Sequence, residues 1–103
     1  MTNWIDACSS DDIEAEDVVR FDHERRTFAI YRNHENQYFC SDGLCTHEEV
    51  HLADGFVMES TIECPKHSSI FDFRTGVVET PPACENLKIY ATKVENGRVF
   101  IEV

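Results

Sequence analysis

The sequence predicts an all-β fold. Its apolar residues fall in short runs separated by polar, Gly and Pro residues, and an Asn-Gly dipeptide joins two of these runs. Only one short segment has the composition of a helix. Many short strands at close spacing are typical of an antiparallel β-sandwich or a small barrel. With 103 residues, the chain most simply forms one domain spanning residues 1–103.

The first half of the chain is predicted to begin with a brief helix over residues 9–17. Ser9 or Ser10 would cap it, and the acidic residues that follow suit a first helical turn, although a short acidic loop fits the same composition. Strands are then predicted over 18–22, 28–32 and 37–40, with polar turns between them.

The second half is predicted to contain three hairpins. The strand pairs are 56–58 with 61–64, 71–73 with 77–78, and 87–95 with 98–103. Asn96-Gly97 joins the last pair and suits a type I′ turn, because both central residues of that turn need a positive φ.

Charge and hydropathy limit the classes of function. Twenty acidic residues against nine basic ones give a net charge of −11, which argues against a nucleic-acid partner because phosphates would be repelled. The longest apolar run, over residues 28–31, is too short to span a membrane. No secretory signal is visible, so we expect a cytoplasmic protein. Its negative surface would favour partners with basic faces, or would simply keep the chain in solution.

The five cysteines are better explained by a metal site and reduced thiols than by disulfides, because their number is odd and no export signal is present. Cys8, Cys40 and Cys84 are expected to be small, partly buried thiols. The other two each lie close to a histidine, in Cys45-Thr46-His47 and Cys64-Pro65-Lys66-His67.

These two segments supply two thiolates and two imidazoles as mixed pairs, with sixteen residues between His47 and Cys64. A structural zinc ion would accept two Cys and two His, but common zinc fingers group Cys with Cys and His with His. A [2Fe–2S] centre with two thiolates on one iron and two imidazoles on the other explains the mixed pairs better. Zinc stays open as an alternative.

The pattern C-x-H, sixteen residues, C-x₂-H resembles the Rieske iron–sulfur proteins, and the similarity is strongest over residues 45–73. It is closest to the small ferredoxins of bacterial ring-hydroxylating oxygenase systems, and 45–55 also resembles a rhizopine-catabolism ferredoxin. The resemblance implies a Rieske-like antiparallel β-sandwich with a small cluster-binding subdomain at about residues 40–82. It also implies one Rieske [2Fe–2S] cluster per chain.

By the same resemblance, Cys45 and Cys64 would bind one iron, and His47 and His67 the other. Residues 80–84 would form a loop that covers the cluster. Respiratory Rieske proteins add a disulfide between the two ligand loops, but Val50 and Lys66 occupy those positions here. His51, four residues after His47, is expected to contact the loop rather than a metal.

Two positions depart from the family pattern. Ser68 replaces a usual Gly, so this backbone would be strained if the loop needs a positive φ. High-potential relatives place a Ser and a Tyr hydroxyl on the sulfurs; Ser69 matches the Ser position, whereas Phe71 stands where the Tyr would be. Because hydrogen bonds to sulfur raise the potential, we predict a low-potential centre, raised slightly by Ser69.

The function implied by the resemblance is electron transfer without catalysis. The chain would be a monomer that takes single electrons from a flavin-dependent, NAD(P)H-dependent ferredoxin reductase and passes them to a terminal oxygenase. A tightly bound electron-transfer subunit of an oxygenase complex is the alternative, and a non-redox zinc module is a third possibility.

Overall fold

The computed structural model describes residues 3–47, 49–66, 68–83 and 85–103. Within these ranges the chain forms eleven β-strands and two 3-10 turns, at Ser10–Asp12 and Leu52–Asp54. The strands are β1 (Trp4–Ser9), β2 (Asp17–His23), β3 (Arg26–Arg32), β4 (Tyr38–Asp42), β5 (Phe56–Met58), β6 (Thr61–Glu63), β7 (Ile70–Asp72), β8 (Val78–Thr80), β9 (Ile89–Tyr90), β10 (Thr92–Glu95) and β11 (Arg98–Glu102).

The strands form three antiparallel sheets. The first has the order β1-β11-β10, the second β2-β3-β4-β9, and the third β5-β6-β7-β8. Every strand pair is antiparallel. The predicted all-β, antiparallel fold is therefore confirmed.

Strand β3 lies at the centre of the molecule, and its alternation builds two cores. Phe28 and Ile30 point into a cluster shared with the first sheet, whereas Ala29 and Tyr31 point into a cluster shared with the third. All four side chains have no exposed surface. A strand covered on both faces has a continuous apolar run, which explains the four apolar residues at 28–31.

Aromatic and polar contacts fix the third sheet to the central one. The rings of Tyr31 and Phe73 stack with centroids 4.4 Å apart, and Phe39 packs on Phe73 at 5.5 Å. The buried Asn33 amide donates to Ser60 Oγ at 3.0 Å and so joins the β3–β4 turn to the β5–β6 turn. These contacts position the third sheet, which carries the second predicted ligand segment at one end.

Two hairpin turns use positive φ angles at both central residues. Asn96 and Gly97 have φ of 51° and 74°, as predicted for this dipeptide. Glu24 and Arg25, between β2 and β3, have φ of 47° and 66° without any glycine. Strands β2 and β3 pair without a register shift from Asp17–Arg32 to His23–Arg26, next to the turn. This pairing holds Glu24 and Arg25 in a left-handed backbone conformation that residues with a side chain disfavour.

Two predicted elements need correction, and one strand is additional. The brief helix predicted over 9–17 is only the turn Ser10–Asp12, capped by Ser9, so the short acidic loop that fits the same composition describes most of this segment. Among its residues only Ile13 reaches the core, so a longer helix would have no apolar face to bury. The strand predicted over 87–95 is divided between β9 and β10, which belong to different sheets. Strand β1 is the additional strand, since the sequence predicts none over its residues.

No helix in the described part of the chain is long and apolar enough to cross a membrane.

Candidate metal centre

The first predicted ligand segment forms a tight loop after β4. The Cys45 amide donates to the carbonyl of Val50 at 3.0 Å and closes the loop. Leu44 and His51 form a bridge at its base, and the Leu52 amide donates to Gly43 at 2.8 Å. Cys45 is 6% exposed, whereas His47 is exposed.

The second segment forms a matching loop between β6 and β7. The Cys64 amide donates to the carbonyl of Ser69 at 2.7 Å, so this loop also closes from the cysteine to the fifth residue beyond it. Cys64 is 2% exposed. His67, the fourth predicted ligand, lies outside the described residues.

The two cysteines belong to one buried cluster with Leu52 of the 3-10 turn and with apolar side chains of the central and third sheets, among them Ile62 and Phe71. Each ligand loop thus buries the sulfur atom of its cysteine in the protein. His47, in the first loop, is exposed to solvent. Thiolates and imidazoles are the donors of a Rieske-type [2Fe–2S] centre, so the residues present fit such a group. Among the described residues no three His, Cys, Asp or Glu side chains form a metal-binding group, but the predicted set includes His67.

The segment after β8 contacts both ligand loops, and the expected role of residues 80–84 in covering the cluster stays a prediction. The amide of the buried residue Ala83 donates to Ser69 Oγ at 3.0 Å. Thr46 Oγ1 donates to the carbonyl of Glu85 at 2.7 Å. Cys84 lies outside the described residues, so its predicted thiol stays a prediction.

Ser68 has a φ of 56°, so the second loop does adopt the left-handed backbone that glycine favours. The expected strain at this position is therefore present. Of the cysteines outside the predicted ligand set, Cys40 is fully buried and Cys8 is partly buried. Burial raises the pKa of both thiols, which keeps them protonated and inert.

His51 connects the end of the first ligand loop to neighbouring residues through both of its ring nitrogens. Its Nδ1 accepts from the Ala53 amide at 3.0 Å, and Nε2 lies 2.9 Å from Thr27 Oγ1. Thr27 Oγ1 donates its proton to Asp22 at 2.6 Å, so toward His51 the hydroxyl oxygen can only accept. Nε2 of His51 therefore carries the proton. Because Nδ1 accepts a hydrogen bond and so carries none, the imidazole is neutral. The predicted loop-contact role is confirmed.

Burial is the main cause that lowers the pKa of His51, and Arg20 adds to it. The hydrogen bond from Thr27 lowers the pKa of Asp22. Sequence reasoning did not find Thr27 or Asp22, because they precede His51 by more than twenty residues and no motif joins them.

Comparison with known proteins gives a family match that covers most of the chain. The family model described as the Rieske [2Fe-2S] domain matches residues 3–91. The ferredoxin component of the naphthalene 1,2-dioxygenase/salicylate 5-hydroxylase systems of Ralstonia sp. is 39% identical over 101 residues, which are 98% of this chain and 96% of the relative.

Two solved structures are similar throughout. A Sphingomonas yanoikuyae B1 ferredoxin superposes with a TM-score of 0.91 at 31% identity, covering 98% of this chain and 99% of that one. A chain from a complex of reduced oxygenase and oxidized ferredoxin in carbazole 1,9a-dioxygenase gives a TM-score of 0.89 at 26% identity, covering 95% of this chain and 91% of that one.

Proposed function

Since the chain belongs to the Rieske [2Fe-2S] domain family, we propose that it is the one-electron carrier of a multicomponent ring-hydroxylating oxygenase system. The family match implies one Rieske [2Fe–2S] cluster, which supplies reversible uptake of a single electron when bound. The observation that supports this role best is the pair of matched loops that bury Cys45 and Cys64 in one apolar cluster.

We assign Cys45 and Cys64 to the inner iron, and His47 and His67 to the outer one. The two cysteines lie where Leu52, Ile62 and Phe71 exclude water, which suits sulfur ligands. His47 is exposed, so the imidazole side of the site is the side that a partner protein can approach. No side chain needs to act as a base or nucleophile, because the chain only carries electrons.

The proposal extends to domain organisation, location and partners. Residues 1–103 form one Rieske domain, with the cluster-binding subdomain at about 40–82. The electron donor is a flavin-dependent ferredoxin reductase and the acceptor is a terminal oxygenase. The carrier is a cytoplasmic monomer, a location that suits the free thiols of Cys8 and Cys40.

Metal and sulfide analysis tests the assigned site. We expect two irons and two acid-labile sulfides per chain, with the characteristic spectrum of mixed Cys and His ligation. The variants Cys45→Ser and Cys64→Ser should lose the iron, whereas Cys8→Ser should keep it. One zinc ion per chain without sulfide would contradict the proposal.

Reconstitution tests the role. The purified chain, a flavin-dependent reductase with NAD(P)H, and the oxygenase component of the Ralstonia naphthalene system should together turn over substrate. Omission of the chain should stop turnover, and the chain alone should show none. A permanent stoichiometric complex with the oxygenase would instead favour the tightly bound subunit.

A further inference from the structure

The outer face of the third sheet carries an exposed apolar surface. The register of β5, β6 and β7 places Val57, Ile62 and Phe71 opposite one another on the core side. Phe56 and Met58 therefore point outward, and each is 71% exposed. They are the most exposed large apolar side chains among the described residues. Adjacent exposed apolar side chains are typical of a surface that binds another molecule.

These side chains form a shallow groove rather than isolated contacts. The groove has a volume of about 290 Å³ and is lined by residues of β5, β6 and β7: Phe56, Val57, Met58, Thr61, Glu63 and Ile70. We call this surface the β5–β6 patch. An apolar centre with a few polar groups is typical of the buried part of a protein–protein interface.

The edge of the β5–β6 patch is acidic. Glu63 lines the groove, and Glu59 occupies the turn between β5 and β6. The Glu59 amide donates to Glu16 Oε2 at 2.8 Å, so a third carboxylate lies beside the same turn. No Lys or Arg lines the groove within the described ranges. The patch therefore complements an apolar surface that is surrounded by basic side chains.

A second copy of this chain is a poor occupant. A two-fold interface brings the same patch of each copy together, so Glu59 and Glu63 would face their own symmetry mates. Each copy also has a net charge of −11. Like charges across an interface disfavour association.

The β5–β6 patch is continuous with the second ligand loop. Glu63 and Ile70 are cross-strand partners, and they lie immediately before Cys64 and immediately after Ser69. A protein that approaches the ligand loops therefore meets this side of the third sheet as well.

The geometry points to the β5–β6 patch as part of the docking surface for the terminal oxygenase, whose contact face would have an apolar centre and a rim of Lys and Arg. The oxygenase is chosen over the reductase because a chain similar to this one forms a complex with an oxygenase in a solved structure. This inference rests on the proposed function and adds where the partner binds. Phe56 and Met58 would be its apolar anchors, and Glu59 and Glu63 would provide the complementary charge.

The test uses the cluster-loaded chain with Phe56→Ser and Met58→Ser, separately and together. The probes are the oxygenase component of the Ralstonia naphthalene system and the reductase used in reconstitution. We expect the double variant to raise the KM for the carrier in electron transfer to the oxygenase by about fivefold to tenfold, and to leave the KM for its reduction by the reductase unchanged. Direct titration of the variant with the oxygenase should show a matching rise in Kd.

Val94→Ser is the matched control, because Val94 is an exposed apolar residue, 45% accessible, on β10 of the first sheet. It should leave KM and Kd unchanged. The Phe56→Ser/Met58→Ser double variant and the Val94→Ser variant should both keep the wild-type absorbance and potential of the cluster, so that a change in KM reports docking alone. Glu59→Gln should weaken the salt dependence of Kd.

An unchanged KM and Kd of the double variant for the oxygenase, while the wild-type chain supports turnover, would overturn this inference and leave the proposed function intact. A rise in the KM for the reductase alone would assign the patch to the reductase and overturn the inference as well. Failure of the wild-type chain to carry electrons would overturn the proposed function itself. Sedimentation that shows wild-type dimers dissociated by Phe56→Ser would assign the patch to a second copy and overturn the inference.

Discussion

Ser69 connects the second ligand loop to the segment after β8. It is fully buried, and its hydroxyl oxygen accepts from the Ala83 amide. The hydroxyl proton is still available to a sulfur atom, which is the role that the family resemblance implies. We therefore predict that this one side chain affects both the packing of the loop and the potential of the cluster.

Substitution of Ser69 by Ala separates these two roles. We expect a lower midpoint potential, because a hydrogen bond to sulfur is lost. We also expect a loss of about 1–3 kcal/mol in the free energy of unfolding, because the buried Ala83 amide loses its acceptor. Redox titration and chemical denaturation measure the two effects.

Ser60→Ala is the control for Ser69. Ser60 is also buried, and its hydroxyl accepts from Asn33 at 3.0 Å in the turn at the other end of the third sheet. It should cost similar stability at an unchanged potential. A Ser69→Ala variant with the wild-type potential would contradict the predicted hydrogen bond to sulfur.

At the scale of elements, His51 links the first ligand loop to the β2–β3 hairpin through Thr27. Its folded-state pKa lies below the ordinary value of about 6.5, so the unfolded chain binds this proton more readily. The free energy of unfolding should therefore fall as the pH drops below about 6.5, until the folded-state pKa is reached. Arg20, Asp22 and Asp54 are the charged groups that face this imidazole.

The variant His51→Asn should flatten that dependence on pH. Asn can still accept from the Ala53 amide, but it does not titrate and does not reach Thr27. We expect a loss of about 1 kcal/mol at pH 7, since one hydrogen bond is broken. Chemical denaturation between pH 5 and pH 8 measures both effects. A variant whose free energy of unfolding varies with pH as in the wild type would show that another group causes this dependence.

His34→Asn is the control, because His34 lies in an exposed turn. This variant should keep the wild-type stability at pH 7.

Two turn glycines differ in what surrounds them, and this difference gives a matched pair of variants. Gly97 has a φ of 74°, and no atom lies within 4 Å of the position that an added Cβ would take. Gly97→Ala should therefore cost only the backbone penalty of about 1–2 kcal/mol. Gly76 has a φ of 86°, and an added Cβ would collide with the carbonyl of Leu87.

Gly76→Ala should cost about 2–4 kcal/mol, because strain and collision add. The Leu87 amide donates to the Gly76 carbonyl at 2.8 Å, so the two backbones cannot separate without losing this bond. Thermal unfolding of both variants measures the difference. Equal losses would show that the backbone near Leu87 relaxes freely.

For the whole molecule, the dominant physical property is its net charge of −11. Residues 6–24 contain eight acidic side chains and one basic one, and residues 42–63 contain six acidic side chains and no Lys or Arg. The second range includes the first ligand loop, so the field near the site is negative. Such a field accelerates association with a basic partner more than it tightens the complex.

Electron transfer to the oxygenase should therefore slow as the salt concentration rises. Screening shortens the range of the field from about 30 Å at 0.01 M to about 3 Å at 1 M. Stopped-flow reduction measured over this range should show a falling second-order rate constant with an unchanged first-order step after docking. A rate that does not depend on salt would mean that the acidic surface only keeps the chain in solution.

Local sequence was sufficient to predict the features that depend on neighbouring residues. Asn96-Gly97 predicted its turn because only a few residues tolerate two successive positive φ angles. The all-β class followed from short apolar runs, and the two Cys/His segments identified the candidate site by their spacing and donor chemistry.

Contacts between distant residues were settled only by the packing of the whole chain. Strands β9 and β10 are separated in sequence only by Ala91, yet they join different sheets. His51 finds Thr27, Ser69 finds Ala83, and Asn33 finds Ser60, at separations of 24, 14 and 27 residues. No local pattern encodes these contacts, because they form only when separate layers pack and each buried polar group must find a partner.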